Sequence, residues 1–241
     1  MYHSITIGDK NTWDDWHLIP SSRPLVNPPN PRTSFIDIPG SDGSIDLSEI
    51  MIGRPTYTDR SGTWDFYVDN GYGNWSDRYS EIMAYLHGKK MNAVLEDDPL
   101  FYYEGRFSVN EWRSDPYYSR ISINYNVGPY KLYSITDGDM WLWDPFNFET
   151  DSIHSYKNMV VKRNSELVVT ITGDMMDIIP VITTPTNDMQ LEFNGFKYYL
   201  KRGSHTYDGV VITEGENILT FNYTGSASSS KVSLKLTGGK F

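Results

Sequence analysis

Apolar and polar residues alternate with a period of two through most of the chain. Trp64, Phe66 and Val68 interleave with Asp65, Tyr67 and Asp69, and Ile121, Ile123 and Tyr125 interleave with Ser122, Asn124 and Asn126. Such spacing sorts side chains onto the two faces of a sheet. One stretch breaks the rhythm. Trp75, Tyr79, Ile82, Met83 and Leu86 recur at helical intervals, which predicts a helix from Ser76 to about His87 that lays an apolar stripe on the sheet. Asn74 or Ser76 can cap its start, Gly88 suits a left-handed residue at its end, and Lys89 and Lys90 suit the negative pole of its dipole. Pro20, Pro24, Pro28, Pro29 and Pro31 exclude helix and central strand from the segment they share, which should run as extended loop.

The second half alternates more cleanly. Met189, Leu191 and Phe193 face one way, Asn194-Gly195 offers the positive φ angles of a two-residue turn, and Phe196, Tyr198 and Leu200 return, so a β-hairpin is expected. Further strands are expected at Leu167 to Thr172, Val210 to Thr213, Ile218 to Tyr223 and Val232 to Leu236. Short strands at this even spacing argue for a β-sandwich, with Leu167, Val169, Leu191, Phe193, Val232, Leu234 and Leu236 in its core. Gly128-Pro129 ends a strand and Asp137-Gly138-Asp139 opens a segment without period, so the division is placed between 130 and 140. The expected fold is mainly β, with residues 1–134 forming a β-sandwich-like domain with one helix and residues 135–241 forming a β-sandwich domain.

Composition narrows the function classes. The 241 residues include no cysteine, which removes disulfides, thiolate metal sites and a cysteine nucleophile. The net charge of −10, with −7 in residues 1–130 and −3 in 131–241, has the wrong sign for stable nucleic-acid binding. No run approaches the roughly 20 apolar residues of a membrane span, and the first residues lack a signal-peptide pattern. Synthesis in the cytoplasm and no membrane partner are therefore expected.

Candidate chemistry is sparse. His3, His17, His87, His154 and His205 lie at no metal-ligand spacing. Gly71-Tyr72-Gly73 lacks the third glycine of a dinucleotide fingerprint and reads as a turn before the helix. Asp14-Asp15 and Asp97-Asp98 could be taken for glycosidase acids, with Trp13, Trp16 and Trp112 as sugar platforms, but neighbours on a strand point to opposite faces. Asp137, Asp139 and Asp144 lack the full pattern of a calcium loop. No catalytic residue, metal or cofactor is expected, and the chain is read as non-enzymatic.

The most informative stretch runs from Phe35 to Val68, FIDIPGSDGSIDLSEIMIGRPTYTDRSGTWDFYV. A short strand enters Pro39-Gly40, Ser41-Asp42-Gly43 turns, Ile45 to Ser48 returns, and Tyr57 and Arg60 precede the aromatic strand. Together with the helix, Glu96-Asp97-Asp98-Pro99, Tyr102 to Arg106 and Gly128-Pro129-Tyr130, this order resembles the N-terminal region of siphophage distal tail proteins over residues 30–131. Ile179 to Ile182, Gly215-Glu216-Asn217 and the final KVSLKLTGGKF resemble, more loosely, the galectin-like C-terminal domain of that family.

The resemblance implies a structural virion protein at the tail tip, a homohexameric ring that joins the tail tube protein to a tail-associated tip or lysin protein and passes the tape-measure protein and DNA. Spacing alone reads Pro39, Gly40, Ser41, Asp42, Gly43, Ser44 and Ile45 as a hairpin turn; the resemblance implies that this projecting hairpin is a ring interface. It also places the N-terminal half around the lumen, where an acidic lining would let DNA slide, and Asp59, Asp65 and Asp69 are the candidate channel-facing acids. Some members hold receptor-binding proteins in a C-terminal insertion, for which residues 131–241 leave no room, so any such attachment would be indirect. Two readings from other classes are a carbohydrate-binding module acting in host-surface recognition and a peptidoglycan hydrolase.

Overall fold

The computed structural model describes residues 3–40, 42–50, 52–68, 74–114, 119–134 and 156–241. The chain is mainly β, and it divides into two compact units, Met1–Lys131 with Phe241 and Leu132–Lys240.

In the first unit, β1 (Ile5–Ile7), β2 (Lys10–Asn11), β3 (Leu18–Pro20), β6 (Arg60–Val68), β7 (Lys90–Leu95), β8 (Phe101–Ser114) and β9 (Ser119–Val127) pair antiparallel in the order β2-β1-β7-β8-β9-β6-β3. Between β3 and β6, β4 (Phe35–Asp37) and β5 (Ser44–Asp46) form a separate two-stranded ribbon. Alternation sets the faces of the large sheet: Trp64 opposes Ile123 and Phe66 opposes Ile121 on the buried side, while Thr63 opposes Asn124 and Asp65 opposes Ser122 on the exposed side. A bulge at Asn110 inverts the alternation of β8, so that Trp112 comes to oppose Ile121 on the core face.

The helix α1 spans Trp75–Leu86 and buries Ile82 and Leu86. Asn74 caps it, its side-chain oxygen accepting from the Ser76 amide at 3.2 Å. Gly88 follows with φ +76°, and Lys89 donates to the Ala84 carbonyl at 2.8 Å. Lys90 does not serve the helix end; it opens β7 and pairs with Glu104 at 2.6 Å. Trp112 packs on Tyr79 and Trp75 at ring separations of 4.6 and 6.2 Å, tying the helix to the bulged end of β8.

The second unit holds two four-stranded sheets. β11 (Met159–Lys162), β18 (Ser229–Lys235), β13 (Val181–Thr184) and β16 (Gly203–His205) form one, in the order β11-β18-β13-β16. β12 (Glu166–Gly173), β17 (Gly215–Tyr223), β14 (Met189–Phe193) and β15 (Phe196–Leu200) form the other, in the order β12-β17-β14-β15. β10 (Lys131–Tyr133) pairs with β19 (Gly239–Lys240). The expected hairpin is present, with Asn194 and Gly195 at φ 50° and 79°. Val169, Leu191, Phe193, Val232 and Leu234 are buried, and Leu167 and Leu236 pack against them.

One expected strand is absent. Val210 to Thr213 is no strand, although Val210 and Ile212 are fully buried. Its backbone is occupied otherwise: Ile212 exchanges a single pair of bonds with Ile178, and the Thr213 amide and carbonyl both bind the side chain of Asn217.

Tyrosines cover glycines in both units. A Cβ on Gly62 would strike the ring of Tyr125, one on Gly8 the hydroxyl of Tyr85, one on Gly209 that of Tyr198 and one on Gly225 that of Tyr223. Tyr125 thereby reaches past its cross-strand partner Gly62 and accepts from the Asn27 amide at 3.0 Å, pinning the proline-rich segment.

Candidate assembly surface

The ribbon begins at a closed base. Pro31 bridges Tyr57, the Arg32 amide donates to the Thr56 carbonyl at 2.7 Å, and the Thr58 amide donates to the Asn30 carbonyl at 2.9 Å. Further out, Phe35 opposes Asp46, Ile36 opposes Ile45 and Asp37 opposes Ser44. Asp46 accepts from both the amide and the hydroxyl of Ser48, and these bonds hold its carboxyl below the usual range. Gly40 and Gly43 take φ +84° and +77° at the tip, conformations that admit glycine freely and other residues at a cost.

What distinguishes the ribbon is its covering. Phe35, Ile36, Ile38, Ile45, Ile50 and Ile52 keep between 45% and 74% of their surface exposed. Ile36 and Ile45 form a cross-strand pair, so these two side chains sit together on one face. Two strands alone are marginally stable in water, and a ribbon with bare isoleucines has the makings of a protein contact.

The base is anchored by aromatic packing. The ring of Phe241 lies 4.6 Å from Tyr57 and 5.0 Å from Tyr130. Arg60, 4% exposed, donates to the Pro129 carbonyl at 2.8 Å, and its guanidinium lies 5.8 Å from the ring of Tyr103. Burial lowers its pKa, and no carboxylate pairs with it among the described residues.

Of the proposed ring-interface residues, Pro39, Gly40, Asp42, Gly43 and Ser44 sit at or beside the ribbon tip and Ile45 lies in β5; Ser41 lies outside the described residues. Asp59 and Asp65 are exposed, and Asp69 lies outside the described residues. Asp65 accepts from the Ser122 hydroxyl on a face of mixed charge: Arg106, Arg113 and Arg120 share it with Asp65 and Glu111.

The paired carboxylates go to separate structural tasks. Asp15 accepts from the Asn11 amide at 2.7 Å, which with its ion pair to Lys10 lowers its pKa. Asp97 binds His3 at 2.9 Å and Arg23 at 2.8 Å, whereas Asp98 binds Lys131 at 2.7 Å. Trp16 is fully buried, so it is no sugar platform. Among the described residues no group of three or more His, Asp or Glu could hold a metal; Asp137, Asp139, Asp144 and Gly71-Tyr72-Gly73 lie outside them.

No family model matches the sequence, and no curated protein matches it. Among solved structures, the crystal structure of Dit (gp19.1) of phage SPP1 superposes on it with a TM-score of 0.61 at 11% identity, covering all of both chains. The fold is that of Dit. SPP1 Dit is presented as a paradigm of the hub adsorption apparatus in phages that infect Gram-positive bacteria. At 11% identity the Dit fold persists through patterning, because buried positions tolerate exchange among apolar residues of similar volume.

The sequence reading missed three features of this surface. It named the tip residues and Ile45 as the candidate contact and left out the exposed apolar side chains Phe35, Ile36, Ile38, Ile50 and Ile52 beside them. The available signal was the density of isoleucines beside turn residues, which a solvated hairpin would not carry. The cover of Tyr57 by Phe241 and the buried Arg60 leave no local signal, since they join residues far apart in sequence.

Proposed function

We propose that this chain is a structural subunit of a phage tail tip, a ring-forming hub that joins the tail tube to the adsorption apparatus. One observation carries the reading: a Dit fold over the full length, bearing a projecting ribbon whose isoleucines lie bare in the single chain. A closed ring requires a head-to-tail contact in which one surface of each subunit meets a different surface of the next, and the ribbon supplies one half of it. Ile36 and Ile45 are already about half buried, so covering the rest would contribute about 1 kcal/mol each, and several such side chains together can drive association. In this reading the N-terminal unit forms the ring and the protein resides in the virion. The partners are five further copies, the tail tube, the tape-measure protein and a tip protein.

The charge-introducing pair Ile36→Asp and Ile45→Asp tests it. Light scattering and negative-stain microscopy at micromolar concentration should show six-membered rings for the parent chain and monomers for the variant. Equal masses for the two chains would refute the ribbon as the contact. Asp59 and Asp65 are retained as channel-facing acids on the sign of the N-terminal charge. An image of the ring with Arg106, Arg113 and Arg120 dominating the lumen would overturn that assignment.

A further inference from the structure

The outer face of the β12-β17-β14-β15 sheet carries an unusual row. Glu166 opposes Asn222, Asn222 opposes Gln190, and Gln190 opposes Tyr199, so the four side chains line up across all four strands. With strands about 4.8 Å apart, the row is roughly 14 Å long. Tyr199 is 70% exposed. None of the four side chains has a hydrogen-bond or ion-pair partner among the described residues. The neighbouring row is Val168, Thr220, Glu192 and Lys197, where Lys197 stands 3.8 Å from Glu192 and balances its charge.

We infer that this row is a binding site for an uncharged glycan. A sugar ring presents a face of C–H bonds, which fits the flat exposed ring of Tyr199, and a rim of hydroxyls that both donate and accept. Gln190 and Asn222 each offer an amide donor and acceptor, while Glu166 offers acceptors only. The pleat holds these groups in register before any ligand arrives, which limits the ordering cost of binding. Charge separates this face from its opposite. The outer face of the β11-β18-β13-β16 sheet presents Lys162, Lys231 and Lys235 with Ser233, Thr183 and Ser204 and no acid, so a polyanion would settle there. The tyrosine row holds no cation and a single acid, Glu166, so it suits an uncharged polyol and disfavours a polyanion.

The test uses the full chain on immobilised neutral oligosaccharides of glucose, galactose and N-acetylglucosamine, with heparin as the anionic comparison and calorimetry on whatever neutral sugar is retained. Tyr199→Ala should weaken binding by about tenfold or more, Gln190→Ala with Asn222→Ala should do the same, Tyr199→Phe should stay within about threefold, and Lys231→Ala should change nothing. Circular dichroism confirms that each variant is folded. Retention of no neutral oligosaccharide would overturn the site, as would retention indifferent to Tyr199→Ala or retention of heparin alone with loss in Lys231→Ala. The measurement is independent of the ring: a monomeric chain that binds sugar through Tyr199 would refute the hub and leave the glycan site standing.

Discussion

Asn217 turns its whole amide onto backbone. Its side-chain nitrogen donates to the Thr213 carbonyl at 2.7 Å and the Gly215 carbonyl at 3.0 Å, and its oxygen accepts from the Thr213 amide at 3.1 Å. Buried as it is, Asn217→Ala should cost about 2 kcal/mol in chemical denaturation, since it strands backbone groups away from water. A change under about 0.5 kcal/mol would mean that water replaces the amide. Asp97 gives a pH test. Its bonds to His3, and then to Arg23, hold its pKa below the ordinary carboxylate value. The folded-state pKa is the lower one, so the clamp is intact at neutral pH and is lost as pH falls through that depressed value. Protection factors of the amides near Ser4 and Glu96, taken relative to the intrinsic exchange rate at each pH, should fall in acid, and Asp97→Asn should already show low protection at pH 7 with little further change. The Gly215-Glu216-Asn217 triplet was visible in the sequence as a resemblance, but its clamp was not. Nothing local says that residue 217 reaches back to 213, and the same clamp is why Val210 to Thr213 contributes core side chains without being a strand.

Elements whose signal is local were the legible ones. The helix announced itself through Trp75, Tyr79, Ile82, Met83 and Leu86, and its cap through Asn74, because the apolar period and the capping bond both lie within a few residues. The hairpin at Asn194-Gly195 was legible for the same reason. Gly195→Ala forces a Cβ into φ +79° and should destabilise the chain by about 1 kcal/mol in thermal unfolding; an unchanged midpoint would show the turn to be plastic. Strand order was not legible, since β6 meets β9 across about fifty intervening residues and no pattern in either strand names the other. The bulge at Asn110 was hidden too: it reverses the alternation of β8 midway, so the residues before and after it appear to belong to different faces.

At the scale of the molecule, two hydrophobic cores hold separate sets of residues, one running from Ile5 to Val127 and one from Val161 to Leu234. We propose that each unit folds by itself. A fragment of residues 132–240 should give a dispersed amide NMR spectrum, and a collapsed random-coil spectrum would reject the division. The tyrosine-covered glycines are spread over both cores, and they constrain how such a chain can change over generations. Enlarging Gly62 first drives a methyl into Tyr125, and shrinking Tyr125 first opens a hole and frees Asn27. Neither step is neutral by itself, so positions 62 and 125 should drift as a pair. The same holds for 8 with 85, 209 with 198 and 225 with 223. Chains that share this fold at low identity should therefore keep or lose each glycine and its tyrosine together, and counting such joint exchanges would reveal descent where overall similarity has faded.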